Sequence, residues 1–401
     1  MIARVDTELL QPLLIDLPLR GVLIRALQLG MGWFPEQPGG LDRYYRELLE
    51  RLPAARVAVR GLVCGSNVCE RQSRGAVRTA SNSDVNLPRR LMAFSHAVKR
   101  ECREFRPDVV VTHFALYAWP VLRKLRNRPL VVHFHGPWYA ESHAEGQTKL
   151  NCWAKFRVEQ AVYRRADRLI TLSNTFKDFL VREFGVDEGR VRVIRGGVDV
   201  RRFDIAQSKC EARAALGWPQ DRPIILTVRR LLRRMGLENL IEAAATLRNK
   251  HPDALILIAG EGRLRKELTA RIEAANLHNH VRLLGYLPDE QLPLAYRAAD
   301  LTVVPSIALE GFGLVAVESL AAGTPAIVTP VGGLPEIVQP LGANLLTRDT
   351  STPALIEAID NALANESSLP DSAECLRHAN RFDWSANLPA IRDVLNGAIR
   401  G

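Results

Sequence analysis

The segment Pro305-Ser-Ile-Ala-Leu-Glu-Gly-Phe-Gly-Leu-Val-Ala-Val-Glu318 combines two carboxylates with a glycine-bearing turn. It leaves a short β-rich apolar run, turns, and enters an apolar stretch of helical spacing. Backbone amides of Gly311, Phe312, Gly313 and Leu314 would point out of a helix start, where the helix dipole favours an anion. Glu310 stands at the turn and Glu318 more than one helical turn further on. A carboxylate accepts paired hydrogen bonds from vicinal hydroxyls. Two carboxylates beside a phosphate-holding turn therefore suit a ligand with a sugar at either end of a diphosphate. The plainer reading of the same residues is a dipole-favoured carboxylate plus a solvated helix glutamate.

Cleaving a sugar from a diphosphate builds negative charge on the leaving oxygen, so such a site needs fixed cations or a metal ion. The sequence contains no D-x-D triplet, and Arg229-Arg-Leu-Leu-Arg-Arg-Met-Gly236 supplies cationic side chains at a strand end. His133 and His135 lie two apart at another strand end and so share a side. With no third ligand close in sequence, a metal is not expected there, and His133 reads as a packed or hydrogen-bonded neighbour of His135. His113 reads as structural or as lining the acceptor side. Gly260-Glu-Gly262 does not extend to G-x-G-x-x-G, because Arg265 stands where the third glycine belongs. That disfavours a dinucleotide dehydrogenase and leaves Gly260 as a close-approach turn at a cleft.

The elements that position these residues alternate along the chain. Residues 224–228, 254–259, 281–284, 301–304 and 326–329 are short β-rich apolar runs, and residues 236–250, 264–275 and 291–298 carry apolar residues at helical spacing. The pattern is an α/β doubly wound domain with a parallel sheet. The first half repeats the theme, with strands expected at 22–29, 57–64, 109–113, 130–134 and 169–172, and residues 66–86 read as a polar mobile loop. The boundaries are set at 1–198, 199–381 and 382–401, the last being a closing amphipathic helix that crosses back to the first domain.

Glu310 and Glu318, in the frame E-G-F-G-L-V-x-x-E, resemble the signature of glycosyltransferase family 4. Pro38-Gly-Gly40, His135-Gly136, the run 196–203, Gly260-Glu-Gly262, Gly285-Tyr-Leu-Pro-Asp289 and Val331-Gly-Gly-Leu-Pro-Glu336 resemble the same family in the same order. The resemblance implies a GT-B fold, two Rossmann-like domains facing a cleft, and a retaining, metal-independent transfer from a nucleotide sugar. It carries Glu310 to the donor sugar, Glu318 to the ribose and His135 to the neighbourhood of the reacting carbon. Gly39 and Gly40 would admit the diphosphate, Tyr286 and Leu287 would border the base, and the family's usual arginine matches Arg230. The clearest departure is Met235, where the family commonly places a lysine; Arg233 or Arg234 is then expected to take over the diphosphate contact. Readings of other kinds are an epimerase or phosphorylase on this fold and a sugar-nucleotide binder without turnover.

Residues 1–200 carry 32 Lys plus Arg against 21 Asp plus Glu, so the formal charge of +10 belongs to the first half. Arg89, Arg90, Lys99, Arg100, Arg103 and Arg106 lie along one amphipathic helical stretch, which suits either an anionic membrane or a solvated face. No aromatic-interleaved basic motif points to nucleic acid. Six scattered cysteines without a C-x-x-C pair suggest a reducing compartment, and the most apolar early stretch is broken at Asp16, Pro18 and Arg20. The expectation is a cytoplasmic chain, peripheral on the inner membrane face, without a cofactor, taking a nucleotide-sugar donor and a glycan or lipid-linked acceptor.

Overall fold

Runs of branched aliphatic residues, buried on both faces, set two all-parallel sheets. In a computed structural model that describes residues 23–37 and 39–401, the first sheet holds β1 (Ile24–Leu29), β2 (Val57–Cys64), β3 (Val77–Ser81), β4 (Val109–Thr112), β5 (Leu130–Phe134), β6 (Arg168–Thr171) and β7 (Val191–Val193). Their order is β3-β2-β1-β4-β5-β6-β7. The second sheet holds β8 (Ile224–Val228), β9 (Leu255–Ala259), β10 (Val281–Gly285), β11 (Leu301–Val304) and β12 (Ala326–Val328), in the order β10-β9-β8-β11-β12. Val22, Pro38 and the early apolar stretch lie outside the described residues.

Both strand orders reverse beside their first strand, between β1 and β4 and between β8 and β11. A parallel sheet opens a crevice at the carboxyl ends of its strands at such a point. The loops leaving β1, β4, β8 and β11 carry Gly39 and Gly40, His113, Arg229–Gly236 and Pro305–Gly313. The candidate residues therefore sit where the topology alone would put a ligand.

The polar loop expected at residues 66–86 contains a helix, Val68–Gln72, and the edge strand β3, which pairs in parallel with β2. Only Val77 of β3 is buried; Arg78, Thr79, Ala80 and Ser81 are half-exposed, so the strand lacks the apolar run that marks its neighbours. An edge strand of this kind leaves almost no periodic signal.

The chain crosses between the sheets twice, side by side. Gly197 and Val198 donate their backbone N–H groups to Phe382 O, and Trp384 N–H donates to Val198 O. The helix Trp384–Arg400 then packs against β4, β5 and β6 of the first sheet. Trp384 Nε1 donates to Glu47 at 2.8 Å, and Arg51 pairs with Asp199 at 2.7 Å, so the crossing is anchored on the first helix, Gly40–Arg51.

Candidate active site

The Glu310 turn is built by close backbone approach. Gly333 N–H donates to Glu310 O at 3.2 Å, and a Cβ on Gly332 would stand 1.6 Å from that oxygen. The Val331-Gly-Gly-Leu-Pro-Glu336 segment is thus the floor under the turn, and its glycines are needed sterically. Gly313 caps the helix Leu314–Ala321 with φ +96°, and a Cβ there would meet Leu334 at 2.3 Å. Gly311 faces the other domain: its Cβ position is 3.1 Å from His135 O. Phe312 is buried against Phe382, so its side chain belongs to the core and only its backbone faces the turn.

Glu310 is ion-paired with Arg229 and accepts from Ser306 Oγ at 3.1 Å. Burial would raise its pKa, but Arg229 and Arg234 outweigh that and hold it below the usual carboxylate range. The side chain of Arg230, the residue after Arg229, makes no hydrogen bond or ion pair among the described residues. Much of its surface is open, yet the cleft walls and the like charges of Arg234 and Arg229 lower its pKa. Its charge also reaches across the cleft to Asp42, whose carboxyl is pushed up to about 6 by burial while Gly32 N–H and Arg230 act in the opposite sense. An accessible guanidinium crowded by two others is relieved by an anion.

The two arginines expected to replace a lysine at 235 lie in different surroundings. Arg233 is exposed and held by Glu238 and Glu267 of its own domain. Arg234 is buried, donates to Leu309 O at 3.0 Å and pairs with Glu141 of the first domain at 3.3 Å. The guanidinium that does lie on Met235 is that of Arg229, with Nη2 2.9 Å from Sδ. Sequence reasoning passed over Arg229 because it weighed only residues next to position 235 in the chain. Gly260 is likewise a packing residue, for a Cβ there would stand 1.9 Å from Arg229 O. Tyr286 is half-exposed just beyond β10, with Leu287 partly buried beside it.

On the opposite wall, Gly39 caps the helix Gly40–Arg51, and a Cβ on Gly40 would meet nothing within 4 Å, so space is open above that helix start. His135 Nε2 lies 3.1 Å from His113 Nδ1, and His113 Nε2 lies 3.0 Å from Gln28 Oε1. Burial lowers the pKa of His135 to about 4, so the ring is a neutral hydrogen-bonding group near pH 7. His113 is the third histidine that the sequence did not join to the pair. The strand it follows, β4, is the neighbour of β5 in the sheet. The ring nitrogens of His113, His133 and His135 lie within 4.8 Å of one another, but the rings stack with interplanar angles of 21°. His113 is thus hydrogen-bonded to His135 and Gln28, whereas His133 Nε2 is buried without a partner among the described residues.

The two walls are bridged. Arg43 of the first helix reaches Glu318 Oε1 at 2.9 Å and Asp289 at 3.4 Å, while Tyr296 Oη donates to Glu318 Oε2 at 3.0 Å. Glu318 is 4% exposed, so the carboxylate that the resemblance carries to a ribose is engaged at both oxygens by protein groups. Asn174 N–H donates to Glu336 at 2.8 Å, Arg195 pairs with Glu336 at 2.7 Å, and Arg263 pairs with Glu145. These bridges join the two walls of the cleft.

Two facing doubly wound domains with this cleft define a GT-B protein. The family model "Glycosyltransferase Family 4" matches residues 38–202, and "Glycosyl transferases group 1" matches residues 208–381. The D-inositol 3-phosphate glycosyltransferase of Streptomyces avermitilis is 30% identical over 406 residues, covering 90% of this chain and 84% of that protein. Among solved structures, sucrose-phosphate synthase from Thermosynechococcus elongatus superposes with a TM-score of 0.79 at 26% identity, covering 94% of this chain and 99% of that one. Anabaena Alr3699/HepE in complex with UDP and glucose superposes with a TM-score of 0.78 at 21% identity, covering 93% and 100%, and shares the fold. The chain belongs to the group 1, family 4 glycosyltransferases.

Proposed function

We propose that this glycosyltransferase moves a hexose from a nucleoside-diphosphate sugar to an acceptor hydroxyl with retention of anomeric configuration and without a metal ion or other cofactor. The observation that carries the reading is the accessible Arg230 guanidinium beside Arg229, Arg234 and Glu310. Fixed guanidiniums stabilise the diphosphate as the C1–O bond to phosphate breaks, the task a divalent ion performs elsewhere. Glu310, kept ionised, accepts hydroxyls of the donor sugar, and neutral His135 faces them from the other domain. The acceptor oxygen attacks C1 on the face the diphosphate leaves, and its proton passes to the departing phosphate oxygen. Anabaena Alr3699/HepE was solved in complex with UDP and glucose, which makes UDP-glucose the first donor to try.

A glycan or lipid-linked acceptor, met in the cytoplasm at the inner membrane face, is supported by the outer surface of the first domain. Leu87, Met92, Trp119, Leu150 and Trp153 are exposed there, on helical segments that pack together and carry many of the chain's arginines and lysines. Apolar and basic groups side by side suit an anionic interface. Among the described residues no helix is long and apolar enough to cross a membrane. A second reading, a soluble phosphorylated acceptor, is favoured by the relative named for D-inositol 3-phosphate. Sedimentation with anionic and neutral vesicles, followed by transfer assays with inositol phosphate and with lipid extract, separates them. Binding to anionic vesicles with transfer to lipid supports the first. Transfer to inositol phosphate with no vesicle binding overturns it.

A further inference from the structure

A buried guanidinium, that of Arg229, lies between Glu310 and Met235. Arg229 leaves the end of β8 with its N–H bonded to Ala259 O at 2.9 Å and its carbonyl pressed by Gly260. Its side chain is 7% exposed and ends between Ser306, Glu310 and the sulfur of Met235. The backbone at 235 has little freedom either. It closes the turn Arg233–Met235 just before Gly236, whose φ is +69° and whose Cβ position would stand 1.8 Å from Pro305 O. Met235 is 5% exposed, so a longer charged side chain at 235 would have to end where the Arg229 guanidinium already lies. Two cations in contact there would repel, while the thioether sulfur accepts an N–H of the guanidinium without competing with it for Glu310. Arg229 Nε is also buried without an acceptor among the described residues. A buried donor of that kind is costly unless a ligand oxygen answers it.

We propose that Arg229 and Met235 form one coupled unit in which positions 229 and 235 are alternative sources of a single cation beside Glu310, and that Arg229 positions Glu310 and balances its charge against the incoming diphosphate. The proposal rests on the donor-site reading above. Without that balance, an ionised Glu310 would repel the ligand it must hold. Arg230 is then free to meet the phosphates, because Glu310 is neutralised by its neighbour.

The test is a double-mutant cycle of Arg229→Ala, Met235→Lys and the pair together, with Met235→Leu as the packing control and Arg229→Gln in reserve if the alanine variant does not fold. Arg229→Ala should lower kcat by about a hundredfold, the scale of removing one preorganised charge. It should also move the acid limb of the pH profile upward, a shift that a purely structural role would not produce. Met235→Lys alone should cost at least about tenfold. Lysine added to the Arg229→Ala background should recover about tenfold or more and return the acid limb toward its original position. Arg229→Ala that folds and keeps wild-type turnover, or a double variant no better than Arg229→Ala, overturns the proposal.

Melting temperature reads the same coupling without turnover. Met235→Lys should lower it in the wild-type background and raise it in the Arg229→Ala background, and a failure of that sign reversal also overturns the proposal. A wild-type protein that neither binds nor cleaves any nucleotide sugar, while the sign reversal is seen, faults the donor-site reading and leaves the coupled pair standing.

Discussion

Replacing Arg43 with alanine should open the cleft. The guanidinium spans the two domains to Glu318 at 2.9 Å, with the two side chains 16% and 5% exposed. Its removal leaves a carboxylate buried with only the Tyr296 hydroxyl at 3.0 Å as partner. Breaking a buried pair in this one-sided way costs about 3–5 kcal/mol if nothing moves. The protein has a cheaper route, because Glu318 is rehydrated if the domains part. The closed state should therefore lose up to about 3 kcal/mol relative to the open one, roughly a hundredfold in their ratio. Solution scattering should show a larger radius of gyration for Arg43→Ala without ligand, and donor hydrolysis should rise relative to transfer as water enters. Glu318→Gln removes the charge that needs Arg43, so adding Arg43→Ala to it should cost much less than Arg43→Ala alone. Scattering and hydrolysis unchanged from wild type in Arg43→Ala would refute the clasp.

Glu310→Gln and Arg230→Ala should each reduce turnover by more than about tenfold, or about 1.4 kcal/mol of transition-state stabilisation, with the fold intact by circular dichroism. Arg234→Ala should be at least about tenfold more damaging to kcat/KM than Arg233→Ala, because only Arg234 ties the cleft to Glu141 and the Leu309 carbonyl. His135 has a folded-state pKa of about 4, below its unfolded value, so the neutral ring contributes stability above about pH 6.5 that is lost as pH falls toward 4. The denaturant midpoint should drop across that window, and the drop should be smaller in His135→Gln.

The strands were readable in the sequence because parallel strands buried on both faces leave short, largely aliphatic runs, unbroken at 255–259. β3 was not, since an edge strand reading Val-Arg-Thr-Ala-Ser buries one side chain of five. Glu310, Gly311 and Arg230 could be placed because each lies in a short segment whose turn chemistry is local. What brings them together is not local. Arg43 and Glu318 meet across 275 positions, and neither helix carries a sign of the other. The histidine stack could have been inferred from adjacent strand ends, had the β4-β5 pairing been assumed. Arg229 was hidden for another reason: position 235 was read along the chain, whereas the guanidinium against it reaches it across a loop.

The central claim is a metal-independent donor site around Arg230 and Glu310. Its most direct test is a panel of UDP-, GDP- and ADP-sugars, measured by thermal shift and by nucleoside diphosphate release, each with divalent metal and with chelator. The account predicts that one donor stabilises the protein and releases its nucleoside diphosphate at the same rate in chelator. Release that stops in chelator and returns with metal, or no stabilisation by any donor at millimolar concentration, would contradict it.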